Sequence, residues 1–162
     1  MSDPITSLRP LAAVLISAFA IIGIYLQKGQ PNRREAVTLV TAVGKLLIVA
    51  SMVPGALAGK VYQIKIASLL PGIEFALRAD PLGILFALLA SVLWLITSFY
   101  SIGYMRGLDE HSQTRYFAAF AASLSAAIGV AFAANLLTLF VFYELLTMAT
   151  YPLVTHHDDD AA

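Results

Sequence analysis

The sequence predicts an all-α membrane protein with five transmembrane helices and a short β-hairpin between the second and third helices. Its 162 residues are 59% hydrophobic and only 12% charged, and the mean hydropathy is +0.81. A soluble domain carries about one quarter charged residues, so a water-soluble globule is nearly excluded. The charges also fall in clusters between long apolar stretches, which indicates membrane spans joined by loops.

Composition excludes several classes of function. Ten basic and ten acidic residues cancel to a formal charge of zero, so nucleic acid is not an expected partner. The absence of cysteine excludes disulfides, thiol catalysis and thiolate metal sites. We expect no cofactor and no bound metal, and we expect the lipid bilayer to be the immediate surroundings of the chain.

Five apolar stretches can each cross a hydrocarbon core of about 30 Å as a helix. The last apolar block, residues 116–154, would measure about 58 Å as one helix, so it is predicted to form two spans. Asn135 is a good N-cap at the point where the second of these spans must begin. We predict a single membrane domain, residues 1–162, whose spans cover residues 8–27, 36–58, 82–104, 116–134 and 136–155.

The segment between the second and third spans has a different periodicity. Apolar and polar residues alternate across residues 61–78 on both sides of a turn at Leu70, Pro71 and Gly72. This alternation predicts a β-hairpin at the membrane surface. Asp80 and Pro81 then predict the start of the third span, because aspartate is a favoured N-cap and proline is favoured at the first helical position.

The distribution of basic residues predicts the orientation by a narrow margin. The loops at 27–35 and 105–115 lie on one side of a five-span protein and carry five basic residues, against four on the opposite side. Since these two short loops concentrate their charges close to helix ends, we place them in the cytoplasm. The expected location is the cell inner membrane, with the N-terminus outside and the C-terminus cytoplasmic.

Glu144 is the most informative residue, because it lies in the middle of the fifth span. A charge at the centre of a transmembrane helix is unfavourable by about 2.5–3.5 kcal/mol on insertion scales, so something must offset it. One hypothesis is a protonated acid that only hydrogen-bonds a neighbouring helix. The other is a carboxylate that binds and releases protons during transport, with Thr147 and Thr150 nearby as polar neighbours.

Lys45 and His111 are secondary candidates. Lys45 lies ten residues into the second span, too deep to extend to the surface, so we expect it to face protein. It either pairs structurally, occupies a local water pocket or relays protons. His111 lies in the loop before the fourth span, where it is either a solvated residue or a surface proton relay.

Four motifs carry a resemblance to a known family. They are FALRADPLG at 75–83, YSIGYMR at 100–106, RYF at 115–117 and NLLTLFVFYELLT at 135–147. Their order and spacing resemble the N-terminal part of the proton-conducting antiporter-like subunits. This family includes complex I membrane-arm subunits, Mrp-type cation/proton antiporters and membrane-bound hydrogenases. The ending YELLTMATYPLV at 143–154 looks most similar to the D branch of the Mrp antiporter proteins.

The resemblance implies a role for Glu144 and an incomplete pathway. In the family, the glutamate of the fifth helix is the essential carboxylate of the proton pathway and the N-terminus faces outward. Family members have about fourteen helices, and the lysine that pairs with this glutamate lies on helix seven, beyond residue 162. Lys45 therefore does not take that role. The resemblance implies either the front of a longer, truncated subunit or a second chain that supplies the remaining helices.

The sequence thus predicts part of a proton-translocating, non-redox subunit of a multisubunit Mrp-type antiporter or complex-I-like oxidoreductase. The expected partners are other membrane subunits, protons, and sodium or potassium as alternative cations. Two alternatives remain open. One is a small self-contained exporter that exchanges a cation for protons at Glu144, and the other is an assembly subunit in which Glu144 only joins two helices.

Overall fold

The computed structural model describes residues 4–70, 72–107 and 113–154 of the chain. Within these ranges the chain forms six α-helices and three short strands. The helices are α1 (Arg9–Leu26), α2 (Pro31–Ala50), α3 (Val53–Leu57), α4 (Pro81–Gly107), α5 (Gln113–Ala131) and α6 (Leu136–Val154). The strands are β1 (Ile5–Thr6), β2 (Tyr62–Leu70) and β3 (Ile73–Ala79).

Five helical segments are long and apolar enough to cross a membrane, which confirms the predicted fold class. Four of them are α1, α4, α5 and α6. The fifth is formed by α2 and α3 together, over Pro31–Leu57. Pro54 lies at the start of α3, where its missing N–H removes no hydrogen bond that the helix needs. The two helices are therefore one membrane crossing with a proline near its end.

Local side-chain caps start two of the spans, as the sequence predicts. The Asp80 carboxylate accepts a hydrogen bond from the Gly83 N–H at 2.7 Å, immediately before α4. The Asn135 side-chain oxygen accepts one from the Thr138 N–H at 2.9 Å, at the start of α6. Each cap satisfies a backbone donor that has no partner within the helix. Both predicted helix starts are confirmed.

The predicted hairpin supplies two strands of a three-stranded sheet, in which β2 is the central strand. Strands β2 and β3 pair antiparallel, and β1 joins β2 in parallel. The backbone N–H groups of Ile5 and Ser7 bond the carbonyls of Val61 and Gln63 at 2.7 and 3.1 Å. Strand β1 was not predicted, because a two-residue strand is too short to show an alternating pattern.

The hairpin is bonded directly to the turn between α5 and α6. The Arg78 N–H donates to the Phe132 carbonyl at 2.6 Å, and the Ala134 N–H donates to the Ala76 carbonyl at 3.1 Å. The Asn135 side-chain amide also donates to the Glu74 carbonyl at 2.6 Å. The sheet therefore fixes the position at which α6 begins.

Helix α5 is the centre of the bundle. More than half of its residues are buried, since it packs against α1 on one side and α6 on the other. In α6, by contrast, Thr138 and Phe142 are the buried residues. Gly129 of α5 faces the Phe142 ring so closely that a Cβ at position 129 would overlap it. That ring is also stacked on Phe75 of the hairpin, with ring centroids 5.7 Å apart.

Gly129→Ala should destabilise the fold, because the Phe142 ring is held by Phe75 and cannot move aside freely. We expect a loss of about 1–3 kcal/mol, the usual cost of overpacking. Thermal unfolding in detergent, followed by the fluorescence of Trp94, would measure it. Gly103→Ala is the matched control, because a Cβ at position 103 meets nothing within 4 Å. Equal melting temperatures for the two variants would contradict this packing.

Candidate functional site

Glu144 lies on the exposed face of α6. It is the ninth of the 19 residues of this helix, two positions after Phe142, which faces α5. Because successive helical residues are about 100° apart, this spacing turns the Glu144 carboxylate away from the bundle. The residues that share its exposed face recur at helical spacing and are mainly large and aromatic: Phe140, Thr147, Met148 and Tyr151.

The two threonine hydroxyls that follow Glu144 in α6 bond their own helix. The Thr147 hydroxyl donates to the Tyr143 carbonyl at 3.1 Å, and the Thr150 hydroxyl donates to the Leu146 carbonyl at 3.0 Å. Among the described residues, no hydrogen bond or salt bridge reaches the Glu144 carboxylate. Pro152 lies within α6, where it lacks the N–H that would bond the Met148 carbonyl. Pro152 therefore removes one hydrogen-bond donor near the end of α6, and the acid on the open face of this helix has no partner among the described residues.

Lys45 is fully buried inside the bundle, as the sequence analysis expected. Its ammonium donates to the Leu124 carbonyl of α5 at 3.4 Å. It also lies 5.0 Å from the centre of the Trp94 ring of α4, in a cation–π contact. In the described part of the chain, the acids in salt bridges are Glu35 and Glu74, and neither is paired with Lys45. A carbonyl and an aromatic face therefore hold this charge without a carboxylate.

A stripe of polar residues on α4 faces the same interior. Ser91, Trp94, Ser98 and Ser101 recur at helical spacing and all are buried. The Ser98 hydroxyl and the Trp94 indole N–H have no hydrogen-bond partner among the described protein groups. Buried polar atoms that lack a protein partner are commonly hydrogen-bonded to a bound water. This stripe was not predicted, although the helical spacing of the serines within an apolar span could have indicated it.

The structure places the predicted site residues apart. Lys45 lies in the interior between α2, α4 and α5, whereas Glu144 lies on the outer face of α6. His111 falls outside the described residues. The interior polar group and the exposed acid are thus two separate features, and within the described ranges neither contains three or more grouped metal-ligating side chains.

Comparisons with known proteins agree with the motifs. A protein-family model described as "NADH-Ubiquinone oxidoreductase (complex I), chain 5 N-terminus" matches residues 67–117. The chain is 26% identical over 160 residues to the NAD(P)H-quinone oxidoreductase subunit 5, organellar chromatophore 1, of Paulinella chromatophora. It is 28% identical over 157 residues to a probable K⁺/H⁺ antiporter protein, the A/B subunit, of Rhizobium meliloti (strain 1021).

The predicted resemblance to antiporter-like and complex I-like membrane subunits is confirmed. These matches cover 94% and 93% of this chain, but only 24% and 15% of the two relatives. The chain thus spans a quarter or less of their length. With five candidate spans and these relatives, it is a multi-pass membrane protein.

A solved structure shares the fold of this chain. It is a chain of the membrane-bound sulfane sulfur reductase, an archaeal respiratory membrane complex, with a TM-score of 0.69 and 22% identity. The superposition covers 91% of this chain and 22% of the other. This likeness concerns the fold alone.

Lys45→Met should leave the bundle folded, with unchanged or slightly higher stability. The replacement fills nearly the same space, and within the described residues it leaves no carboxylate without its partner. Lys45→Ala is the comparison, because it removes volume as well as charge and should cost about 2 kcal/mol or more. Thermal unfolding in detergent separates the two effects. If Lys45→Met were as unstable as Lys45→Ala, the charge itself would be essential to the fold.

Proposed function

We propose that this chain is the N-terminal part of a proton-translocating subunit in a multisubunit membrane complex. The complex is either a monovalent cation/proton antiporter of the Mrp type or a proton-pumping oxidoreductase related to complex I. The observation that carries the proposal is Glu144, an acid near the middle of a helix long and apolar enough to cross the membrane. The named relatives come from an oxidoreductase in one case and from an antiporter in the other, which supports both forms of the complex.

Glu144 is proposed to bind and release a proton within the bilayer. An ionised carboxylate is disfavoured in hydrocarbon and favoured where water or a cation reaches it. A change in its surroundings can therefore load and unload a proton. Its exposure on α6 supports this role, because the carboxylate remains accessible to groups from outside the five-helix unit.

The partner of Glu144 is proposed to come from outside the described residues. The short part of each relative that the chain covers leaves room for further helices. The family resemblance implies that a lysine on such a helix faces this acid. We propose that this lysine approaches the open face of α6, so that its charge favours release of the Glu144 proton.

The proposal includes several finer assignments that are still predictions. The D branch of the Mrp antiporter proteins, suggested by residues 143–154, remains a prediction, as do sodium or potassium as the exchanged cation. An inner-membrane location, with the N-terminus outside and the C-terminus cytoplasmic, also remains a prediction. Lys45 and His111 are proposed as secondary proton relays, Lys45 in the bundle interior and His111 at the surface. The chain itself is proposed to carry no redox step.

Glu144→Gln should reduce proton-coupled activity to background when the complex that contains this chain is assayed in vesicles. Glutamine keeps the size of the side chain but cannot bind and release a proton. Glu144→Asp should retain part of the activity, since the acid is preserved on a shorter side chain. Cation/proton exchange, followed with a pH-sensitive dye, would measure both variants.

Glu74→Gln is the matched control for this experiment. Glu74 lies on the hairpin, where its side chain is 40% exposed and its carboxylate pairs with Lys65, so exchange should be unchanged. Assembly of the complex must be checked in every variant by purification. Normal exchange in an assembled Glu144→Gln complex would reject the proposal, whereas loss of assembly would indicate a structural role for Glu144.

Lys45→Met tests the secondary relay separately. If Lys45 passes protons through the interior, the exchange rate of the assembled complex should fall severalfold, because methionine cannot carry a proton. The same vesicle assay measures this rate. An unchanged rate would leave Lys45 with a purely structural role.

A further inference from the structure

A positively charged cavity lies at the end of the bundle where α1 ends and α2 and α5 begin. Its volume is about 510 Å³. Among the described residues, the side chains that line it include three cations, several hydrogen-bonding groups and no acid: Tyr25, Lys28, Pro31, Arg34, Gln113, Thr114 and Arg115. Because the cavity adjoins the helix ends, it lies at the level where lipid headgroups meet a membrane protein. Its charge fits an anion.

Arg34 is held rigidly in the wall of this cavity. It is only 4% exposed, and its guanidinium donates to Thr114 Oγ1 at 3.1 Å and to Gln113 Oε1 at 2.6 Å. It also lies over the Phe117 ring, with Cζ 5.4 Å from the ring centre. Its Nε has no hydrogen-bond partner among the described residues. Arg34 is thus a fixed, buried cation with a donor still to be satisfied.

The acid that pairs with Arg34 in the described part of the chain is engaged elsewhere. Glu35 lies 4.0 Å from Arg34 Nη2, but both oxygens of its carboxylate accept hydrogen bonds from the Arg106 guanidinium, one of them from Nε at 3.0 Å. Two arginines therefore share one carboxylate on this side of the bundle. Among the described residues, the positive charge of Arg34 is therefore only partly neutralised.

An apolar groove continues from the cavity along the bundle. The two share Tyr25 and Arg115 in their walls, and the groove has a volume of about 180 Å³. Its other lining residues are small or apolar and come from α1, α5 and α6: Ile21, Ala118, Ala119, Ala122, Ala149 and Pro152. The alanines of α5 leave space that larger side chains would fill. A groove of this composition fits a hydrocarbon chain.

We infer that the cavity and groove together bind an anionic phospholipid. The phosphate lies among Lys28, Arg34 and Arg115, and one acyl chain lies in the groove beside Ala122. Basic pockets between transmembrane helices are known binding places for acidic lipid headgroups. Free phosphate would meet the same cations but would leave the groove empty, so the groove favours a lipid.

The test is native mass spectrometry of the full chain in mild detergent, with lipid adducts counted during titration. Phosphatidylglycerol, phosphatidylcholine and inorganic phosphate are the three probes. We expect phosphatidylglycerol to bind well above phosphatidylcholine, and inorganic phosphate not to displace it. Lys28→Gln should weaken phosphatidylglycerol binding about fivefold, the effect of removing one nearby cation. Ala122→Leu should also weaken it, because leucine fills the groove without changing any charge.

Arg33→Gln is the matched control, since Arg33 is an exposed cation in the first turn of α2 that does not line the cavity. It should change the affinity by less than about twofold, because exposed charges outside the site are screened. Circular dichroism verifies that each variant is folded. Equal binding of the two lipids, or equal effects of Lys28→Gln and Arg33→Gln, would overturn the inference. Displacement of phosphatidylglycerol by inorganic phosphate, or unchanged binding in Ala122→Leu, would reduce the site to a phosphate site and reject the lipid.

Discussion

The structure depends on how a membrane protein accommodates charge inside its spans. An ionised group in hydrocarbon is costly unless protein groups, water or an opposite charge surround it. The two charges within the spans have different surroundings. Lys45 is enclosed by α2, α4 and α5 and rests on a carbonyl and the Trp94 ring. Glu144 is left on an open face of α6. The enclosed charge belongs to the core, and the open one is the group that we propose to exchange protons.

The exposure of Glu144 follows from contacts at the start of α6. Asn135 caps the helix and bonds the hairpin, and the Thr138 hydroxyl accepts a hydrogen bond from the Ala76 N–H at 3.2 Å. One turn later, Phe142 fills the space over Gly129. These contacts fix the rotation of α6 about its own axis. A small surface hairpin, a cap and a glycine therefore decide which way a proton-exchanging acid would face.

Part of this architecture could be predicted from the sequence, because its signals are local. The spans follow from apolar length, and the starts of α4 and α6 follow from Asp80 and Asn135. The burial of Lys45 follows from its depth within a span. Strand β1 was not predictable, since it pairs with residues more than fifty positions away. The outward direction of Glu144 was also out of reach, because it depends on how Phe142 fits against another helix.

The central claim is that Glu144 changes its protonation state inside the membrane, and infrared difference spectroscopy tests it most directly. The complex that contains the chain would be titrated with pH, and spectra of the wild type and Glu144→Gln would be compared in the carboxyl region. The account predicts a carboxyl band that appears and disappears with pH in the wild type and is missing in Glu144→Gln. Identical pH-dependent spectra for the two proteins would contradict it.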